Sequence, residues 1–219
     1  MNIQHHPGDS LLLAYGAGTL SDGFSLVVSS HAFKCAQCRK SITDAEMIGG
    51  VLLDQAEPIK MKHRTLNSLL DRLDDDDFED YSTLNYQKVQ DTEIPSPLLD
   101  YLSAPLDKLK WKFMAPGIRH FPLPVDTGSK GTVKMLKIDP GVTVPFHSHS
   151  GMELSIVFRG SYHDETGTYC PYDVGDLDQD TSHQPVSDVN EGCICLIATD
   201  APLLYKGVLL RVLQKFSSV

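Results

Sequence analysis

Two short stretches of this 219-residue chain concentrate side chains that bind metal ions. The first is HAFKCAQC, residues 31–38. Cys35 and Cys38 offer two thiolates on one tight turn, which suits a tetrahedral zinc, and His31 sits one helical turn ahead of Cys35, so its imidazole can face the same point. A closed structural zinc site takes four ligands. His6 is the candidate for the fourth, in the pattern His6-x24-His31-x3-Cys35-x2-Cys38, with His5 the weaker alternative. Such a site would tie together three short helices with little core of their own, and metal binding would count as folding free energy. The competing reading leaves the histidines on the surface and Cys35/Cys38 as a free or redox Cys-x-x-Cys pair.

The second stretch, GVTVPFHSHSGMELSIVFRG, follows the pattern Gly141-x5-His147-x-His149-x3-Glu153-x6-Gly160. Residues two apart on a strand share a face, so His147 and His149 can both look into a barrel, and Glu153 can return from the adjacent strand. Two imidazoles and a carboxylate leave positions open on a divalent ion. His183, in YDVGDLDQDTSHQPV, is the natural further ligand from a later strand.

The elements that must position these groups differ between the two parts of the chain. From Asp9 to about Leu73 the apolar residues recur at helical spacing. Asp9 or Ser10 can cap a helix through LLLAYGAG, with Gly18 as its stop, and Ser21 can cap a second through GFSLVVSSHAF. A third is expected after Cys38, through RKSITDAEMIGGVLL, and a fourth from about Arg64 to Leu73. The acidic, Pro-containing segment that follows has no sustained apolar period and reads as a linker. Beyond it come short β-type runs, GTVKMLKID, LSIVFRGSYHD and CICLIATD, between Gly, Pro and Asp punctuation. The expected fold class is α+β in two domains: a zinc-stapled helical domain at residues 1–75, a linker at 76–97 and an all-β barrel at 98–219.

The formal net charge of −10 argues against wrapping a nucleic-acid backbone, because phosphate neutralisation needs clustered Lys and Arg. Residues 1–80 carry 7 Lys or Arg against 13 Asp or Glu, an acidic surface that suits either a basic protein partner or simple solubility. No apolar run approaches the roughly 18 residues of a membrane span. The start, MNIQHHPGDS, lacks the pattern of a secretory signal peptide, so a cytoplasmic location is expected. Five cysteines, an odd number without a secretory signal, point to thiols and thiolates rather than a disulfide framework.

Among the smaller features, Cys193 and Cys195 share a strand face and read as buried apolar residues, with an oxidation sensor as the alternative. Cys170 reads as a loop thiol, His63, His120 and His163 as surface residues, and Trp111 as packing at the barrel rim. The apolar residues of LNSLLDRL are either core or a face for a partner.

The segment HHPGDSLLLAYGAGTLSDGFSLVVSSHAFKCAQCRK resembles the start of the ChrR-type anti-sigma factors, zinc-binding proteins with an H…HxxxCxxC signature. The resemblance implies that His6, His31, Cys35 and Cys38 hold Zn2+ and that the helical domain grips an extracytoplasmic-function sigma factor. The 141–160 pattern resembles the first cupin motif without departure, and YDVGD with His183 is similar to the second, which here lacks its usual Pro and Asn. CICLIATDAPL, residues 193–203, looks like a segment of the same family's cupin domain. The implied function is an anti-sigma factor that releases its partner on an oxidative, singlet-oxygen-like signal received by a cupin. That cupin is expected to hold a second divalent ion, zinc first, with iron or manganese as alternatives. The other readings are a dioxygenase-like cupin enzyme using His147, His149, Glu153 and His183, and a cupin that only binds a ligand or adds stability. Dimerisation through the barrel stays open.

Overall fold

The computed structural model describes residues 3–59, 66, 68, 70–71, 94–125, 127 and 130–205. Three helices come first, α1 (Asp9–Gly16), α2 (Asp22–Ala32) and α3 (Ala36–Asp54), and a short α4 (Ser96–Leu99) precedes the strands. The α+β architecture expected from the change of period is the one observed. Of the fourth expected helix, Leu66, Ser68, Leu70 and Asp71 are described and helical; its other residues, most of the expected linker, His63 and the last fourteen residues lie outside the described part.

Two helix starts differ from expectation. The first helix is capped by neither Asp9 nor Ser10: it begins at Asp9 behind Gly8, whose N–H donates to Asp176 Oδ2 at 3.1 Å, so a barrel carboxylate fixes the helix entry. The third helix starts before Cys38, not after it. Cys35 is its N-cap, and Cys35 Sγ accepts from the Cys38 N–H at 3.5 Å. Both cysteines thus sit at a helix N-terminus.

Among the described residues the strands are β1 (Lys112–Ala115), β2 (Ile118–Pro122), β3 (Thr132–Ile138), β4 (His147–His149), β5 (Glu153–Gly160), β6 (Tyr162–Asp164), β7 (Gly167–Tyr169), β8 (Val174–Leu177), β9 (Ser182–His183), β10 (Val186–Ser187), β11 (Cys193–Thr199) and β12 (Leu203–Tyr205). A six-stranded sheet runs β1-β2-β3-β11-β5-β8, facing two three-stranded sheets, β10-β6-β7 and β12-β4-β9. All pairings are antiparallel. Alternation sorts the side chains: Leu136, Ile138, Val157, Cys193 and Cys195 point inward with Tyr162 and Tyr169, while Val133, Met135, Leu154, Ile156, Leu196 and Ala198 point out toward the helices. Cys193 and Cys195 are both buried, as expected for small apolar residues.

The outward face makes the helices part of the barrel's own core. Phe24, Val27 and Val28 of α2 belong to one apolar cluster with Leu154, Ile156 and Leu196 of β5 and β11, and Leu11, Leu12, Cys38 and Ile42 extend it through α1 and α3. The approach is close at Gly23, where an added Cβ would lie 2.7 Å from Val133 Cγ2. Trp111 packs against this cluster and donates from Nε1 to the Leu106 carbonyl at 3.2 Å. The second half of α3 packs differently. Met47, Ile48, Val51, Leu52 and Leu53 are all exposed, by 56 to 75 %.

Candidate metal centres

His6, His31, Cys35 and Cys38 converge, with one donor atom from each lying within 4.8 Å of all the others. His6 comes from the extended segment before α1, His31 from the last turn of α2, and the cysteines from the start of α3. His6 Nδ1 is 3.2 Å from His31 Nε2 and 3.4 Å from each sulfur, and His31 Nε2 is 3.2 Å from Cys38 Sγ. Ligands of one tetrahedral zinc at about 2.0–2.3 Å stand roughly 3.3–3.8 Å apart, so the spacing fits. The tautomer fits as well: His31 Nδ1 lies 2.8 Å from the Tyr172 carbonyl oxygen and donates to it, leaving the Nε2 lone pair aimed at the cluster. His31 is fully buried, and burial lowers its pKa. Burial, with Cys35 alongside, pushes the Cys38 thiol up to about 12, so a thiolate here calls for a cation beside it. His5, the alternative ligand, is elsewhere: its ring stacks on Tyr169 at 4.4 Å between centroids.

The second cluster is His147, His149, Glu153 and His183, again with mutually close donor atoms and with all four side chains buried. His147 and His149 share the inward face of β4, His183 is the cross-strand partner of His147, and Glu153 opens β5. His147 Nδ1 donates to the Pro145 carbonyl at 2.9 Å and His183 Nδ1 to Asp164 Oδ2 at 2.7 Å. Their Nε2 atoms therefore face each other, 3.0 Å apart, close enough to share a cation or a proton. Neither nitrogen of His149 nor Oε2 of Glu153 has a hydrogen-bond partner. Buried polar atoms are almost always satisfied, so this donor set fits a cation at its centre.

The electrostatics agree. Burial, then His183, draws His147 and His149 down to about 4, which keeps both imidazoles neutral as ligands. Burial pushes Glu153 up to about 7 against the pull of His183 and Lys134, as expected of a carboxylate lacking its counter-charge. Asp164 behaves oppositely: burial alone would raise it, but hydrogen bonds from His183 and Thr166 bring it down to about 2. The first cluster can form a closed two-His, two-Cys centre that fixes three chain segments. The second, with three imidazoles and a carboxylate, leaves coordination positions open to an exogenous group.

Sequence reasoning missed the groups that orient these ligands. Asp164 lies in an ordinary turn sequence, DETG, with nothing to link it to His183, and Tyr172 acts through a backbone carbonyl, which any residue supplies. His120, expected on the surface, is half-buried on β2, and burial lowers its pKa. His163 and Cys170 are exposed.

Residues 102–202 match the family described as ChrR Cupin-like domain. The chain is 37 % identical over 216 residues to the anti-sigma-E factor ChrR of Cereibacter sphaeroides, covering 99 % of each. It also matches the crystal structure of Rhodobacter sphaeroides SigE in complex with the anti-sigma ChrR, with a TM-score of 0.78 and 36 % identity over 91 % of this chain and 100 % of that one. With similarity running through both the helices and the barrel, the chain belongs to the ChrR family of anti-sigma factors.

Proposed function

We propose that this protein is an anti-sigma factor that binds an extracytoplasmic-function sigma factor and keeps it from RNA polymerase. The observation that carries the reading is end-to-end identity of 37 % with a protein named for that activity, in a chain whose helices gather the two-His, two-Cys set. The division of labour follows the architecture. Residues 1–75 grip the sigma factor, with Zn2+ on His6, His31, Cys35 and Cys38 holding the helices in register. Residues 98–219 receive the signal, with a second divalent ion, zinc first, on His147, His149, Glu153 and His183; residues 76–97 join the two. The exposed apolar residues of α3, together with exposed Leu66 and Leu70, supply a surface of the kind that marks a protein interface. The family resemblance extends the reading to an oxidative, singlet-oxygen-like signal and a cytoplasmic location, and among the described residues no helix is long and apolar enough to cross a membrane.

The test is co-expression with the candidate sigma factor. The full chain should co-purify with it and silence its promoter, and Cys35→Ser should abolish both. A wild-type chain that neither binds nor silences refutes the proposal. A second reading, a metal-dependent enzyme, draws on the same barrel donors and their open positions. It requires turnover that disappears with His147→Ala while sigma binding is untouched.

A further inference from the structure

A row of contacts leads from the barrel cluster to the helical one through the β6–β7 hairpin. It starts at His183, whose Nδ1–H donates to Asp164 Oδ2. The other carboxylate oxygen, Asp164 Oδ1, accepts from the Thr166 N–H at 2.8 Å, the Gly167 N–H at 3.2 Å and the Thr166 hydroxyl at 2.5 Å. Thr166 Oγ1 in turn lies 2.8 Å from the Tyr169 hydroxyl, which donates to it. Buried Tyr169 carries His5 on its ring, 33° from parallel, and the next residue is His6. The backbone is held as well: the His5 N–H donates to Asp173 Oδ1 at 3.0 Å, and the His5 carbonyl accepts from the N–H of Val174, which opens β8 beside β5.

Each link is oriented by the one before it. His147 Nε2 and His183 Nε2 face each other at 3.0 Å, a contact held by a cation or proton between them. Rotation of the His183 ring away from that contact would break its bond to Asp164. The Asp164 side chain is fully buried and accepts three hydrogen bonds from the hairpin turn, so its displacement would be passed to Tyr169 and the ring against it.

We infer that the β6–β7 hairpin, through Asp164, Thr166, Tyr169 and His5, couples the two metal clusters, so that ligation by His147, His149, Glu153 and His183 strengthens zinc binding by His6, His31, Cys35 and Cys38. This rests on the proposed function, to which it adds the regulation: emptying the barrel loosens the staple that holds the sigma-gripping helices. Linkage makes the effect reciprocal, with each site strengthening the other by one common factor.

The test is a double-mutant cycle on the full-length chain, read with cobalt(II), because cobalt on Cys35 and Cys38 gives a thiolate charge-transfer band that the nitrogen and oxygen donors of the barrel do not give. Wild type, His149→Ala, Tyr169→Leu and the double variant are stripped of metal and titrated in a competing chelator. His149→Ala is expected to weaken cobalt binding at the thiolate site by about fivefold or more in the wild-type background. In the Tyr169→Leu background the same change is expected to be less than about twofold. Equal weakening in both backgrounds, or none in the wild-type background, overturns the inference. If Tyr169→Leu does not fold, His5→Ala removes the same stack from the other side and is read by the same criteria. Silencing of the sigma partner is scored in parallel on wild type: silencing without coupling sinks this inference alone, and coupling without silencing sinks the function reading alone.

Discussion

Asp173 Oδ1 lies 2.7 Å from the Gln4 backbone nitrogen and 3.0 Å from that of His5, so a fully buried carboxylate of the barrel holds the extended segment that delivers His6. Its other oxygen accepts from the Cys170 N–H at 2.9 Å. Asp173→Ala orphans three backbone donors. A buried unsatisfied donor costs about 1–3 kcal/mol, and water can reach the exposed Gln4 end, so the expected total is about 2–4 kcal/mol. At this chain length that lowers Tm by roughly 5–15 °C. Thermal melts that differ by less than about 2 °C would refute the assignment of Asp173 as the clasp.

Cys35 contributes both a donor to the helical cluster and the cap of α3. Cys35→Ser is expected to reduce the thiolate-bound zinc from about one per chain to near zero while the barrel ion is retained, because the four barrel donors include no sulfur. Amide exchange in α1, α2 and the first turns of α3 should accelerate, since an ion on this cluster would tie these segments together. Full zinc retention on metal analysis would exclude Cys35 as a ligand.

Asp164 touches the barrel cluster only through His183, yet its pKa of about 2 places a full negative charge behind that imidazole. The charge fixes the tautomer and raises ligand basicity. Asp164→Asn keeps the volume and loses the charge, and is expected to weaken barrel metal binding by about 10–100-fold in chelator competition with far-UV circular dichroism unchanged. A loss below about twofold would reduce Asp164 to a turn residue.

The donors were legible because ligand chemistry is local in type and spacing. Cys-x-x-Cys, a histidine one turn ahead and a His-x-His strand declare themselves without a fold, and the switch of apolar period from helical to alternating marked where helices give way to strands. Interactions distant in sequence left no such trace. Asp164 and His183 are 19 residues apart, and His31 and Tyr172 are 141 apart. Nor did the sequence suggest that the helices share the barrel's core: the outward residues of β3, β5 and β11 read equally well as half of a two-sided sheet. Of the two helix starts that differed, one has this origin, set by Asp176 far along the chain, while the other is local, a thiol acting as an N-cap three residues ahead of the N–H it accepts from.

Gly23 tests that shared core. In a free helix Gly→Ala gains up to about 1 kcal/mol. Here the new methyl would meet Val133 Cγ2 at 2.7 Å and Ala198 Cβ at 3.6 Å, and buried Val133 has a stiff χ1 with little room to yield. Overpacking costs about 1–3 kcal/mol, so packing outweighs propensity and Gly23→Ala is expected to lower stability by about 1–2 kcal/mol in denaturant titration. A stabilised variant would mean that α2 does not sit against β3 and β11 as described.

The last prediction separates folding from partner binding on α3. Leu52 is 64 % exposed and Val51 56 %, on the half of α3 whose apolar residues are left in solvent, whereas Cys38 and Ile42 in its first half are buried. Substituting an exposed residue away from such contacts changes stability by no more than about 0.5 kcal/mol, whereas a charge placed in the apolar centre of an interface costs well over the 1.4 kcal/mol that corresponds to tenfold in affinity. Leu52→Glu is therefore expected to melt with wild type and bind its full zinc, yet to lose sigma-factor binding by at least about tenfold. The two measurements pull apart the competing explanations. A drop in Tm with binding intact would mean that another part of this chain covers the face, and unchanged behaviour in both would move the sigma-binding surface off α3 altogether.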